Sequence, residues 1–204
     1  MSGGGVTQLD LRQPALSPSR QRLYEVGIEL FGQRGYHGVS VRDLADALGI
    51  KPPSLYAHVA SKQDLLFQLT LLGEALHRDA VKEALLSSLP DPREQLRALV
   101  SAHVLVHLQH PDLARLINIE IRHLDPEQLE QVNAIKGETG QRFLDVVERG
   151  VRQGVFRHAE RRFLRAIADM GVATSLWSDR PAESEHAAIA ADYAEVALLI
   201  LTGS

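Results

Sequence analysis

The chain has 204 residues, 45% of them apolar and 24% charged, with a formal charge of −4 and no cysteine. That composition suits one large globular domain or two small ones. It excludes disulfides, thiolate metal sites and a cysteine nucleophile, and it argues against a protein that coats nucleic acid wholesale.

The first residues, MSGGGVTQLDLRQPALSPSR, lack the apolar core of a signal peptide. Gly3, Gly4, Gly5, Pro14 and Pro18 discourage regular structure there. A flexible arm over residues 1–18 is expected. No apolar run approaches the roughly 18 residues of a membrane span, so a cytoplasmic chain with no membrane partner is expected.

RQRLYEVGIELFGQRG follows, with Leu23, Val26, Ile28, Leu30 and Phe31 near helical spacing. Ser19 is a candidate N-cap and Gly35 a stop. SVRDLADALG opens with Ser40 and Asp43 in capping-box positions and buries Leu44 and Leu48, four residues apart. Pro52 and Pro53 suit the first turn of a further short helix, from Pro52 to about Val59, where a missing N–H is harmless. A long amphipathic helix starts at Ser61 and is broken by LPDP at 89–92.

The rest also reads as helix. PREQLRALVSAHVLVHLQH ends at Pro111 and DLARLINIEIRHL ends at Pro126. A long stretch from Glu127 to Gly154 has Gly137 and Gly140 as potential weak points. AERRFLRAIADMGVATSLW and ESEHAAIAADYAEVALLILTG complete the set. There is no hairpin signal and no repeat. The fold class expected is all-α: an N-terminal three-helix unit over 19–66, then a larger helical bundle over 67–204.

The segment from Val39 to Leu66 carries chemistry. A helix-turn-helix needs a small residue where two helices touch and a residue tolerant of unusual angles at the turn. Ala45 and Gly49 meet these needs, and Leu44, Leu48, Ile50 and Leu55 supply buried side chains. Ser54, Tyr56 and His58 then face outward, as on a helix that enters the major groove. Arg42, Lys51 and Lys62 surround it, ready for phosphates. Residues 1–62 hold seven Lys/Arg against five Asp/Glu, a charge of +2, while the remainder carries −6. A locally anion-binding surface on an acidic body fits that asymmetry.

Residues 20–66 resemble the DNA-binding domain of the TetR family of bacterial transcriptional repressors. The shared pattern is Leu-Phe near the end of the first helix, Gly-Tyr, Ser-Val with Asp-Leu-Ala, Gly-Ile, Ser-Leu-Tyr, then Ser-Lys with Asp-Leu-Leu. Pro53 stands where the family often has Gly, and Val59 where it usually has Phe. The resemblance implies a homodimer with a ligand pocket in each C-terminal bundle, released from its double-stranded operator by a small effector. It also implies roles: Ser40 and Arg42 at the DNA backbone, Lys51, Ser54, Tyr56 and His58 at the groove, Lys62 on a phosphate. Tyr56 could instead pack between helices, and His58 could be a solvated surface histidine. Arg12, Arg20 and Arg22 could form a minor-groove arm.

EIRHLDPEQLEQVNAIKGETGQRFLDVVERGVRQGVFR is similar to a subgroup of the family in which an acyl-CoA thioester is often the effector. Candidate pocket residues are Leu105, Leu108, Leu113, Ile117, Ile121 and Trp177, with Arg122 or Arg115 for an anion, unless these apolar side chains simply fill the core. His103, His107 and His110 fall at i, i+4 and i+7. Such spacing can chelate a metal, but no HExxH pattern or adjacent acid accompanies it, so no metal is expected. No nucleophile elbow, Walker loop or dinucleotide fingerprint is present, so no enzyme activity and no cofactor are expected. Val172, Leu176, Tyr193, Val196 and Leu199 are candidates for a two-fold interface. The alternative function is a small-molecule-binding or metal-dependent protein on the same fold without operator-directed repression.

Overall fold

A computed structural model of the chain describes residues 17–157 and 160–203. The expected arm over residues 1–18, with Arg12, falls almost wholly outside the described residues. Among these, nine α-helices run in the order α1 (Pro18–Arg34), α2 (Val41–Leu48), α3 (Pro52–Leu55), α4 (Lys62–Ser87), α5 (Pro92–Gln109), α6 (Pro111–Glu120), α7 (Pro126–Arg152), α8 (Arg161–Ala173) and α9 (His186–Thr202). The fold is all-α, as expected.

Local chemistry sets the boundaries. Pro at the first helical turn opens α1, α3, α5, α6 and α7, where its fixed φ helps and its missing N–H costs nothing. The N-cap of α1 is Ser17, not Ser19, because Pro18 takes the first turn and the Ser17 side chain accepts from Arg20 N. This places Arg20 and Arg22 inside α1, so neither belongs to an extended arm. Arg20 reaches Gln68 Oε1 at 3.2 Å, and Arg22 pairs with Glu25 at 3.5 Å. Helix α7 runs unbroken through Gly137 and Gly140. Helix α3 is shorter than expected. Ala57 N reaches back to Ser54 O and His58 N to Leu55 O, three residues each, before Val59 N closes a wider turn on Leu55 O, so the regular helix stops at Leu55.

Two apolar cores share α4. One joins Leu23, Phe31, Leu44, Leu55 and Leu65 to Leu113 and Leu116 of α6. The other surrounds α5 with Leu96, Leu99, Val104, Val146, Ile167 and Ala197. The 66/67 boundary thus lies inside a continuous helix. Helix α5 packs against α4, α7, α8 and α9. Among the described residues no helix is long and apolar enough to cross a membrane.

Candidate nucleic-acid interface and effector pocket

The N-terminal site is built on α2 and α3. Ser40 caps α2 through a reciprocal pair: Asp43 N donates to Ser40 Oγ at 3.2 Å and Ser40 N donates to Asp43 Oδ2 at 2.7 Å. The Ser40 hydroxyl, which donates to Asp43 Oδ2, and then Ser40 N hold the Asp43 carboxyl below the usual range and keep its charge at the helix start, where the dipole favours it. Gly49 ends α2 at φ 68°, ψ 26°, a left-handed conformation that glycine adopts without a Cβ penalty. Ile50 N then bonds back to Ala45 O at 3.0 Å, and Ala45 is fully buried. The turn and the close contact fall where the sequence indicates them.

Arg42, Lys51, Ser54 and Tyr56 are exposed and His58 is half-buried. Tyr56 keeps 55% of its surface in solvent, too much for a helix-packing tyrosine. Lys62 differs from its expected place. Its Nζ donates to Tyr36 O and Val39 O, each at 2.8 Å, and sits 4.1 Å from the Tyr36 ring centre. Burial lowers its pKa. Two of its three N–H groups are therefore committed to the loop before α2, which they tie to α4.

A second site is a cavity of about 530 Å³ in the C-terminal bundle, within the range that holds a drug-sized ligand. Five helices line it: α4 with Glu74 and His77, α5 with His103 and His107, α6 with Leu113 and Ile117, α7 with Lys136 and Gly140, α8 with Leu164 and Val172. Leu113 and Ile117 stand where expected. The other candidates lie elsewhere. Leu105 and Leu108 follow His103 by two and five residues, so they sit about 200° and 140° around α5, and both pack into the second core. Ile121 packs against the first core. Arg122 is exposed beyond the end of α6, with Nε donating to His123 Nε2 at 3.3 Å, and Arg115 is exposed on α6. Trp177 is carried outside by the turn at 174–176 and stands 6.4 Å from the Tyr193 ring. Val172, expected at an interface, faces the cavity instead.

The cavity's polar wall is only half visible in the sequence. The histidines that meet are His77, His103 and His107. His103 Nδ1 lies 2.8 Å from His77 Nε2, His103 Nε2 lies 3.0 Å from Ala168 O, and His107 Nδ1 lies 2.7 Å from His103 O. His110 lines the cavity at the N-cap of α6. Burial lowers the pKa of all three clustered rings, that of His77 to about 4. Glu74 pairs with Lys136 at 3.3 Å, and burial raises its carboxyl pKa. Thr70, Glu74, His77 and Val81 follow the i, i+4, i+7, i+11 rule of one buried helix face. A carboxylate and a histidine on such a face are the available signal for this wall. Among the described residues no group of three or more His, Asp or Glu has the arrangement of a metal site.

Helix α6 reaches both sites. Ile117 and Asn118 line the cavity. One turn on, the buried Glu120 carboxylate accepts from Tyr36 N at 3.2 Å and lies 3.2 Å from His123 Nε2. The His123 ring stacks on Tyr36, with centroids 5.2 Å apart.

Two family models match the chain: "Bacterial regulatory proteins, tetR family" over residues 23–69 and "Tetracyclin repressor-like, C-terminal domain" over residues 90–201. The HTH-type transcriptional repressor KstR2 of Rhodococcus jostii (strain RHA1) is 31% identical over 169 residues, covering 76% of this chain and 79% of the relative. The crystal structure of a bacterial regulatory protein in the tetR family from Rhodococcus RHA1 superposes with a TM-score of 0.83 at 28% identity, covering 91% of this chain and 98% of that one. The structure of AibR, solved in complex with isovaleryl coenzyme A and operator DNA, shares the fold with a TM-score of 0.75 at 21% identity, covering 90% and 98% of the two chains.

Proposed function

The chain belongs to the TetR family of bacterial regulatory proteins, and from that membership we propose that it represses transcription as a homodimer and leaves its operator when a small molecule fills the cavity. As a member it is a DNA-binding transcriptional regulator and not an enzyme. In this reading residues 19–66 read the DNA in the cytoplasm. Ser54, Tyr56 and His58 meet base edges or the sugar-phosphate chain. Ser40, Arg42 and Lys51 meet phosphates, which position the protein without choosing the sequence. Residues 67–204 bind the effector and the second protomer, with no cofactor. The two-fold face carries Leu176, Val196 and Leu199, which are 54%, 42% and 56% exposed, with Tyr193 and Trp177 beside them.

The observation that carries the proposal is the path of α6. One helix lines the cavity with Ile117 and ends on Glu120, bonded to the loop that sets α2. A ligand that moves α6 thereby moves the reader, which is what differential binding to two states requires. A small hydrophobic effector fits the apolar wall of Leu113, Ile117, Phe143 and Leu164. An acyl-CoA thioester is the class favoured, and the isovaleryl-CoA in the AibR complex supports it. The test is binding of the purified protein to the DNA upstream of its own coding sequence, with and without a panel of acyl-CoA thioesters. Sequence-dependent binding released by a thioester is expected. Binding that no thioester releases would remove the ligand class, and no specific binding would overturn repression at that site.

A further inference from the structure

We propose that the cavity selects an effector carrying a neutral hydrogen-bond donor, a hydroxyl or N–H group on an apolar body, and reads it with unprotonated ring nitrogens of His77 and His107. This rests on the reading of the cavity as the effector site. Fixed tautomers lead to it.

A carbonyl oxygen can only accept. His103 Nε2 therefore carries a proton and donates to Ala168 O, and His107 Nδ1 likewise donates to His103 O. His103 is held in that pose by α8. A Cβ added to Gly171 would lie 2.2 Å from His103 Cδ2 and 2.3 Å from its Nε2, so only glycine lets the ring lie against the helix. Burial keeps His103 neutral. With its one proton on Nε2, its Nδ1 must accept, and the donor 2.8 Å away is His77 Nε2. His77 is neutral too, its pKa lowered to about 4. One proton on each ring thus leaves two bare nitrogens, His77 Nδ1 and His107 Nε2.

Both rings line the cavity, their centroids 5.6 Å apart. Among the described residues none is bonded to either nitrogen. Both nitrogens are open to the cavity rather than sealed, and a ligand that covers such an acceptor without donating to it leaves it unmet, which is costly. The donor is neutral because Lys136, already paired with Glu74, stands near both rings and lowers their proton affinity after burial does. Arg165 and Asp169 of α8 and His110 line the same cavity. The apolar body has space on the α7 side. Gly140 sits inside α7, where glycine is less favourable than alanine, and a Cβ there would meet nothing within 4 Å. Gly140 is exposed and forms part of the cavity lining.

The test uses decan-1-ol, which donates and accepts, and its methyl ether 1-methoxydecane, which only accepts, titrated into the purified full chain by calorimetry. The alcohol should bind about 10- to 100-fold tighter, the range for a buried group left unpaired. In His77→Phe and His107→Phe the ratio of the two affinities should fall toward one, with folding checked by melting. A merely structural role would weaken both probes together and keep their ratio. Equal affinity in the native protein, a tighter ether, or no binding of either overturns the selection. Gly140→Leu fills the open space and should block both probes. Binding that Gly140→Leu leaves intact would instead overturn the cavity as the effector site.

Discussion

Two lysines of the reader illustrate how much a side chain's partners decide. Lys51 is exposed ahead of α3, whereas Lys62 Nζ donates to Tyr36 O and Val39 O. Lys51→Ala should weaken DNA binding across sequences and reduce the slope of log affinity against log salt by about one for each phosphate no longer neutralised, with the melting temperature unchanged. Lys62→Ala should also lower folding stability by about 1–2 kcal/mol, since two carbonyls are deprived of a charged donor. Denaturant unfolding beside salt-dependent binding separates the two, and an unchanged unfolding curve for Lys62→Ala would refute its bracing role. The cavity histidines add a pH dependence. Their folded pKa values lie below the unfolded value near 6.5, so the unfolded chain binds more protons as pH falls. The stability associated with neutral rings is full above pH 6.5 and is lost as pH falls toward the His77 value of about 4. Glu74, whose carboxyl pKa is raised by burial, takes up its proton first in the folded state and offsets part of that loss. His103→Gln should flatten the fall by at most about 1.4 kcal/mol per pH unit. Melting temperatures across that window check it, and an unaltered slope contradicts neutral burial.

At the scale of elements, α6 lines the cavity and its Glu120 bonds the loop before α2, and the proposed release of DNA runs through it. Glu120→Ala removes the acceptor of Tyr36 N and the partner of His123. Operator affinity without ligand should change little. Release by the effector of the native protein should need about 2- to 30-fold more ligand, the size of a coupling removed along such a path. Equal release by the two proteins would show that α6 does not carry the signal. The elements themselves are legible because their signals are local. Ser40 with Asp43, Gly49, the Pro52–Pro53 pair and Ser61 each act within one turn, so the sequence displays them directly. The end of α3 is not legible, since no glycine or proline follows Leu55 before Ser61 to mark it.

At the scale of the molecule, the cavity escapes the sequence for the opposite reason. Its polar wall joins Glu74 and His77 of α4, His103 and His107 of α5 and Lys136 of α7, residues brought together only by tertiary packing. Histidine spacing within α5 draws attention to His110 and hides His77. Apolar candidates such as Leu105 and Leu108 cannot be sorted between core and cavity without knowing which face of α5 meets α9. Leu176, Val196 and Leu199 are exposed apolar side chains, the residues on which the proposed two-fold face rests. Leu199→Arg should weaken the dimer by about 30-fold or more, as a charge at a central contact does. Sedimentation of that variant as a dimer with native affinity would remove α9 from the interface.

Above all, a symmetric pair of these readers should recognise one DNA sequence. The decisive experiment is selection of binding sites by the purified full chain from a randomised double-stranded DNA library. An inverted repeat should be enriched, its half-sites centred about one helical turn, or a multiple of it, apart. Enrichment of a single asymmetric site, or of no sequence, would refute the paired reader.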